Sequence, residues 1–332
     1  MIDFRRCSRW LAAIPLALPC ALSLMVAGDA LAQTPPQAYP SRPIRIIVAY
    51  PPGQSTDIAT RYFAAKLGAA LNEGVVVENR AGAFGNIGTA YAARATPDGY
   101  TLIMGASGTH AVNPSLYDNV GFDAEKDFEP IVATAFIPMV ISAHPSLNVN
   151  SLADLMQLAR SKPGKIDVAL PSVTAQLVFE MLRQQNVPLF PIKYKGSGEA
   201  MTALLGNQVP VLIDTVAASR AQFGKIKPLA VTSAKAMAAL PDIRSVAEQG
   251  VTGFSIVAWN ALMAPRGTPP EIRDRIETEM RKIIALPETA KALHDLGFEP
   301  APQMNHAQLV SWLRSERTTA GEIIRSGKMK VD

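Results

Sequence analysis

The sequence has only two cysteines, Cys7 and Cys20, both near its start. Disulfide frameworks, thiolate nucleophiles and Cys-ligated zinc are thereby excluded from the rest of the chain. Charge is sparse as well: 18% of residues are charged, the formal net charge is +4, and no Lys/Arg run exceeds two. A nucleic-acid surface needs its cations gathered into a patch, so nucleic acid is not an expected partner. The four histidines, His110, His144, His294 and His306, show no metal-ligand spacing, and neither a metal nor another cofactor is expected. Glycine (22) and proline (26) are too few among 332 residues for a collagenous or low-complexity chain. What the chain does have is apolar bulk, 48% of it, the ordinary proportion for a globular protein with a real core. Its length suggests two domains or one large one.

Residues 1–32 read as a secretory signal peptide. Arg5, Arg6 and Arg9 form the positive region, Leu11 to Val26 the apolar stretch, and Ala30-Leu31-Ala32 the cleavage site, with Gln33 as first mature residue. Pro15 and Pro19 break the apolar stretch, which falls short of the ~20 residues that span a bilayer, as does every later one. A lipoprotein reading of Cys20 is weak, because Pro19 precedes it where a small residue belongs. Cleavage removes both cysteines and, with Arg5, Arg6, Arg9, Asp3 and Asp29, lowers the net charge from +4 to +3. Export, no mature cysteine and the absence of a spanning segment point to a soluble protein of the bacterial periplasm.

Beyond a polar leader over 33–40, strands and helices alternate. Ile44 to Val48 reads as a buried strand ended by Pro51-Pro52-Gly53. Ser55 or Thr56 is the expected cap of the following helix, whose apolar face is Ala59, Phe63, Leu67 and Ala70. Further strands are expected at Val75–Val77, Thr101–Ala106, Ile131–Ala143, Lys165–Leu170, Val209–Ile213 and Leu229–Thr232, with helices between them. Ser151 and Asp154 make a capping box for a helix through Arg160. Thr268-Pro269-Pro270-Glu271 supplies a cap, a first-turn proline and an acid to a helix with the stripe Ile272, Ile276, Met280 and Ile283. Helices near 287–296, stopped by Gly297, and 306–325 complete the chain. The alternation predicts an α/β fold with a mainly parallel sheet.

Three loops follow strand ends, where open α/β sheets bind ligands. Residues 51–57 combine a strand end with a helix start, whose free N–H groups and dipole suit an anion without any cation; the lysine of a phosphate loop is absent. Position alone leaves a plain structural turn equally open. Gly82 to Gly88 has G-x-x-G-x-x-G spacing, which is not the dinucleotide fingerprint. Gly105-Ala106-Ser107-Gly108-Thr109-His110 offers small hydroxyls. Ser107 with His110 could serve as nucleophile and base of a secreted hydrolase, although no G-x-S-x-G elbow is present. Glu271, Glu277 and Glu279 read as a solvated helix face, and Lys193-Tyr194-Lys195-Gly196-Ser197 either places a cation near a cleft or runs a strand into a helix cap.

These residues also carry a resemblance. Tyr39-Pro40-Ser41-Arg42-Pro43-Ile44-Arg45 with Pro-Pro-Gly-x-x-x-Asp at 51–57 resembles the opening of the Bug-type periplasmic receptors of tripartite tricarboxylate transporters. The similarity continues through Val77-Glu78-Asn79-Arg80, Pro97-Asp98-Gly99-Tyr100-Thr101-Leu102, Asn113-Pro114-Ser115-Leu116-Tyr117, Lys126-Asp127-Phe128 and Tyr194-Lys195-Gly196-Ser197. It then runs on to Leu229-Ala230-Val231-Thr232-Ser233, Leu240-Pro241-Asp242 and Ala264-Pro265-Arg266-Gly267-Thr268-Pro269. It covers essentially all of 39–332, in order. It implies a two-lobed periplasmic-binding-protein fold with a ligand cleft between the lobes, one lobe holding 33–142 and 257–332, the other 143–256. It implies a small carboxylate held by backbone N–H groups and bridging waters, a lobe-closing motion, and a two-protein membrane permease or a sensor kinase as partner of a monomeric, non-enzymatic receptor. Carried over by position, the ligand residues are Gly53, Gln54, Ser55 and Asp57, then Ala83 and Phe84, then Ser107 and Thr109, with Ser172, Thr174 and Asp214 from the second lobe. Asp214 could equally cap the helix that follows it.

Three departures from the family pattern stand out. Gln54 replaces a usual glycine, which would turn an amide towards the ligand. Phe84 replaces a small residue and could stack on an aromatic acid or a neutral heteroaromatic ligand, depending on whether the ring faces the cleft or the core. The loop at 169–176 is about two residues short, with Gln176 near the usual His.

Overall fold

The computed structural model describes residues 39–237 and 239–329. The signal peptide, its cleavage site and most of the polar leader lie outside the described residues. The strands are β1 (Ile44–Val48), β2 (Val75–Asn79), β3 (Thr101–Ala106), β4 (Phe128–Ala143), β5 (Asp167–Leu170), β6 (Phe190–Lys193), β7 (Val211–Thr215), β8 (Lys227–Val231), β9 (Val257–Pro265) and β10 (Glu299–Pro300). The helices are α1 (Ser55–Leu71), α2 (Asn86–Ala93), α3 (Asn113–Leu116), α4 (Leu152–Ser161), α5 (Val173–Gln184), α6 (Ser197–Leu205), α7 (Val216–Ser219), α8 (Pro270–Ala285), α9 (Pro287–Leu296) and α10 (His306–Gly327). None of them is long and apolar enough to cross a membrane.

The strands lie in the order β2-β1-β3-β9-β4-β7-β5-β6, with β8 and β10 also paired to β4. The expected mainly parallel sheet is corrected to a mixed one. The outer strands are parallel, β2-β1-β3 on one side and β7-β5-β6 on the other. The middle is antiparallel, because β9 and β4 run against their neighbours. β4 carries both halves of the sheet: Phe128–Pro138 pairs with β9, and Met139–Ala143 pairs with β7. It begins earlier than the apolar run alone indicates. Pro130, which has no N–H to donate, is accommodated at a register shift between Pro130 and Val132.

The local rules hold at several helix ends. Ser151 accepts from the Asp154 N–H at 3.1 Å and starts α4. Gly297, at φ +84°, ends α9 in the left-handed conformation that glycine adopts without penalty. Two expectations shift by a residue. The α1 face closes on Leu71 while Ala70 is exposed, and α8 is entered from Pro269, because the Thr268 hydroxyl donates to the Pro265 carbonyl at 2.8 Å.

Candidate functional site

β1 ends at Val48, and beyond Pro51 and Pro52, which have no N–H to donate, the chain turns through Gly53 at φ +81° into α1. Neither Ser55 nor Thr56 caps this helix; Gln54 stands at the cap position without a side-chain bond, and both hydroxyl residues lie in the first turn. The turn is tied instead by Asp57. Its Oδ2 accepts the Gly53 N–H at 2.9 Å and Arg61 Nε at 3.0 Å, and its Oδ1 accepts Asn79 Nδ2 at 2.9 Å. Burial works against the charge, but the bonds from Arg61, Gly53 and Asn79 outweigh it and hold the carboxyl below its usual range. Thr56 is fixed from behind, its Oγ1 accepting Asn260 Nδ2 at 3.1 Å. No side chain caps the α1 start, so its first-turn N–H groups are left for another acceptor.

Opposite stand the strand ends of the other half. Ser172 caps α5 through the Ala175 N–H at 3.1 Å, Gly196 leads into α6 at Ser197, and Thr215 at the end of β7 caps α7 through the Ala218 N–H at 3.2 Å. Between the two walls is a cavity of about 30 Å³, lined by Gln54, Ser55, Ser107, Ser172, Thr174 and Asp214 among others. Among the described residues no Lys or Arg lines it. The starts of α1, α5 and α6 therefore converge on one space among hydroxyl groups. The walls touch: Ser107 Oγ and Thr174 Oγ1 are 3.3 Å apart. Glycine permits the approach at Gly108, where a Cβ would stand 2.6 Å from Tyr50 Oη and 3.0 Å from Val173 Cγ2.

Two wall atoms, Gln54 Oε1 and Asp214 Oδ2, are buried without a hydrogen-bond partner. Burial pushes the Asp214 carboxyl up to about 7 against the pull of the Thr215 N–H, which its Oδ1 accepts at 2.7 Å, and of the nearby Ser197 hydroxyl. Near neutrality this group exchanges a proton, and in its neutral form it can donate to an anion.

Not every expected residue reaches this cavity. Gly53 and Asp57 build the turn behind it. Thr109 is buried, with its hydroxyl on the Ala106 carbonyl at 3.1 Å and His110 Nδ1 at 2.8 Å. Ala83 and Phe84 border a neighbouring cavity with Lys193, Tyr194 and Lys195. Phe84 is half-buried against the core and does not line the cleft cavity, so its ring is not placed to stack on a ligand there. The hydrolase pair is not assembled: Ser107 is paired with Thr174, and His110 with Thr109. His110 is fully buried, which lowers its pKa to about 3, with a smaller contribution from Arg317.

The sequence reading missed Tyr50, Thr56, Gly108, Ser197, Thr215 and Trp259, all of which line the cavity. Thr56, Gly108 and Thr215 adjoin residues it singled out, and Ser197 lay in a segment it considered. Trp259, on a central strand, gave no local signal.

The model of the tripartite tricarboxylate transporter family receptor matches residues 59–329. A UPF0065 protein of Bordetella bronchiseptica is 33% identical over 331 residues, covering 98% of this chain and 97% of its own. BugT of Bordetella pertussis is 36% identical over 240 residues, 70% of this chain and 74% of its own. Among solved structures, R. palustris Rpa4515 with adipate superposes with a TM-score of 0.85 at 31% identity, covering 88% of this chain and 99% of that one. The periplasmic binding protein BugD follows at 0.82 and 33%, covering 88% and 99%. Fold, strand-end loops and the match over most of its length agree: the chain belongs to the receptor family of the tripartite tricarboxylate transporters.

Proposed function

We propose that the protein is a periplasmic receptor that binds a small carboxylate reversibly, without chemistry on it, and presents it to a membrane partner. One observation carries this reading. Three helix starts and several hydroxyls converge on a buried space that no cationic side chain lines. Oriented N–H groups at helix starts bind an anion directly or through water. The adipate of Rpa4515 and the malate of R. palustris MatC, the latter at 25% identity and a TM-score of 0.79, are ligands of the same chemical class. Gln54, Ser55, Ser107, Ser172, Thr174 and Asp214 form the ligand wall in this reading, while Gly53 and Asp57 act behind it by holding the α1 start.

The two halves of the sheet serve as lobes that part and close about β4 and β9. The closed form is what a two-protein permease or a sensor kinase domain would recognise on the monomer. Cleavage after Ala32 releases it to the periplasm. The test is a thermal-shift screen against aliphatic and aromatic carboxylates, amino acids and neutral heteroaromatic compounds. A carboxylate at 100 times its Kd adds about 2.7 kcal/mol to stability, which raises Tm by several degrees. A screen in which only neutral compounds raise Tm, or none does, overturns the reading.

A further inference from the structure

The cleft cavity, at about 30 Å³, has room for a water molecule or two, not for the body of an organic acid. A second cavity of about 220 Å³ adjoins it and shares Ser107, Thr174 and Trp259 with it. The second space is of another kind. Trp259 and Trp312 stand 5.0 Å apart, Phe136 lies 5.6 Å from Trp312, and Leu177 and Ile256 complete an apolar wall. Among the described residues its one ionisable wall residue is Glu316, whose Oε2 accepts Trp259 Nε1–H at 2.9 Å and whose pKa is raised by burial.

α10 roofs this space and is fastened at its middle and at its C-terminal end. Arg314 and Arg317 bind Glu125, and Arg183 of α5, itself paired with Glu180, donates to the Gly327 carbonyl at 3.0 Å. The two cavities meet at the Ser107–Thr174 hydroxyl pair, which lines both.

We infer that the tryptophan cavity is the subsite for the ligand's body, and that the preferred ligand is a ring-bearing carboxylate with a hydrogen-bond donor at its far end. The inference rests on the carboxylate reading above and goes beyond it to the ligand class. An apolar cavity of about 150 Å³ accommodates benzene, so this one holds a substituted ring. The carboxylate lies at the helix starts, the ring passes Ser107 and Thr174 to lie against Trp259 and Trp312, and a hydroxyl or amine donates to Glu316. A short aliphatic diacid leaves this space unfilled.

The test uses malate, adipate, benzoate and 4-hydroxybenzoate as probes, with calorimetry and tryptophan fluorescence as readouts. Trp259 and Trp312 are the tryptophans among the described residues, and both report on this cavity. The expected result is at least tenfold tighter binding of 4-hydroxybenzoate than of malate, with a fluorescence change that malate does not produce. Ala320 is a buried part of the wall remote from the cleft cavity. A320F, or A320L if the larger ring prevents folding, should lower the ratio of ring to short-acid affinity at least tenfold. An unchanged ratio, or short acids bound more tightly than ring acids in the wild type, overturns the subsite while leaving the carboxylate reading intact. Binding of none of the four removes both.

Discussion

The cleft cavity and the tryptophan cavity share three wall residues yet differ in what dominates the rest of their walls. The first is made of helix starts, hydroxyls and one carboxyl that titrates near neutrality. The second is made largely of rings and aliphatic side chains around Glu316, with the hydroxyls of Ser255 and Thr319 added to the shared pair. Under the proposed reading the contrast is a division of labour common to small-molecule sites: a few polar groups fix one end of a ligand, and apolar surface holds the rest.

The largest difference between the two cavities is expected from Ser55→Asp. An acid in the first turn suits α1 itself, so the ligand-free Tm should hold or rise. Facing a bound carboxylate, however, it should weaken every carboxylate on the order of 100-fold, since opposed like charges cost several kcal/mol. Calorimetric titration that finds affinity unchanged would place the anion elsewhere. Gly108→Ala should act next most strongly. Its methyl would press on Tyr50 and Val173 where the walls meet, and about a tenfold loss is expected for short and ring acids alike.

Asp214→Asn tests the polar cavity through pH. The folded-state pKa of Asp214, about 7, lies above the ordinary 3.8, so the folded protein keeps a proton that the unfolded chain gives up. That contribution to stability is complete below about 4 and is lost as pH rises towards 7. His110 runs the other way. Its pKa falls from 6.5 to about 3, so its contribution is present above 6.5 and is lost as pH falls towards 3. The wild type should therefore show a flattened Tm profile between pH 4 and 7, and the Asn variant a profile that rises by several degrees. Carboxylate affinity should weaken about tenfold in the wild type between pH 6 and 8, as Asp214 ionises, and stay level in the variant.

Phe84→Gly should have the smallest effect, because the residue borders neither cavity. Its φ of +50° costs a non-glycine residue about 1 kcal/mol, which glycine would relieve, while the half-buried ring gives back a similar amount of burial. Affinity within twofold of wild type is expected. A larger loss would bring the 82–85 loop into the site.

Much of this was legible in the sequence because it is local. β1 and β3 have their predicted bounds, Ser151 and Gly297 mark helix ends as expected, and six of the eleven expected site residues line the cleft cavity. What escaped was long-range. β9 is buried along nearly all its length, so Val257 to Pro265 shows no alternation, and it pairs with β3 across some 160 positions (Ile103 with Met263). Missing β9 meant missing both the antiparallel middle of the sheet and Trp259. The tryptophan cavity needs β9, α5 and α10 together, and no window of sequence holds all three. Asp57 was misread for a subtler reason. An acid beside a helix start looks the same in sequence whether it faces a ligand or ties the turn, and only Asn79 and Arg61 decide.

The lack of Lys and Arg among the described residues that line the cleft cavity has a consequence for where such a receptor can work. Free surface charges attract over a Debye length, about 8 Å at physiological ionic strength, and lose their grip as salt rises. Buried N–H dipoles act within one helical turn and are screened far less. A receptor built on them captures its solute with nearly the same strength in brackish and in fresh surroundings, a useful property in a compartment whose salinity follows the medium outside.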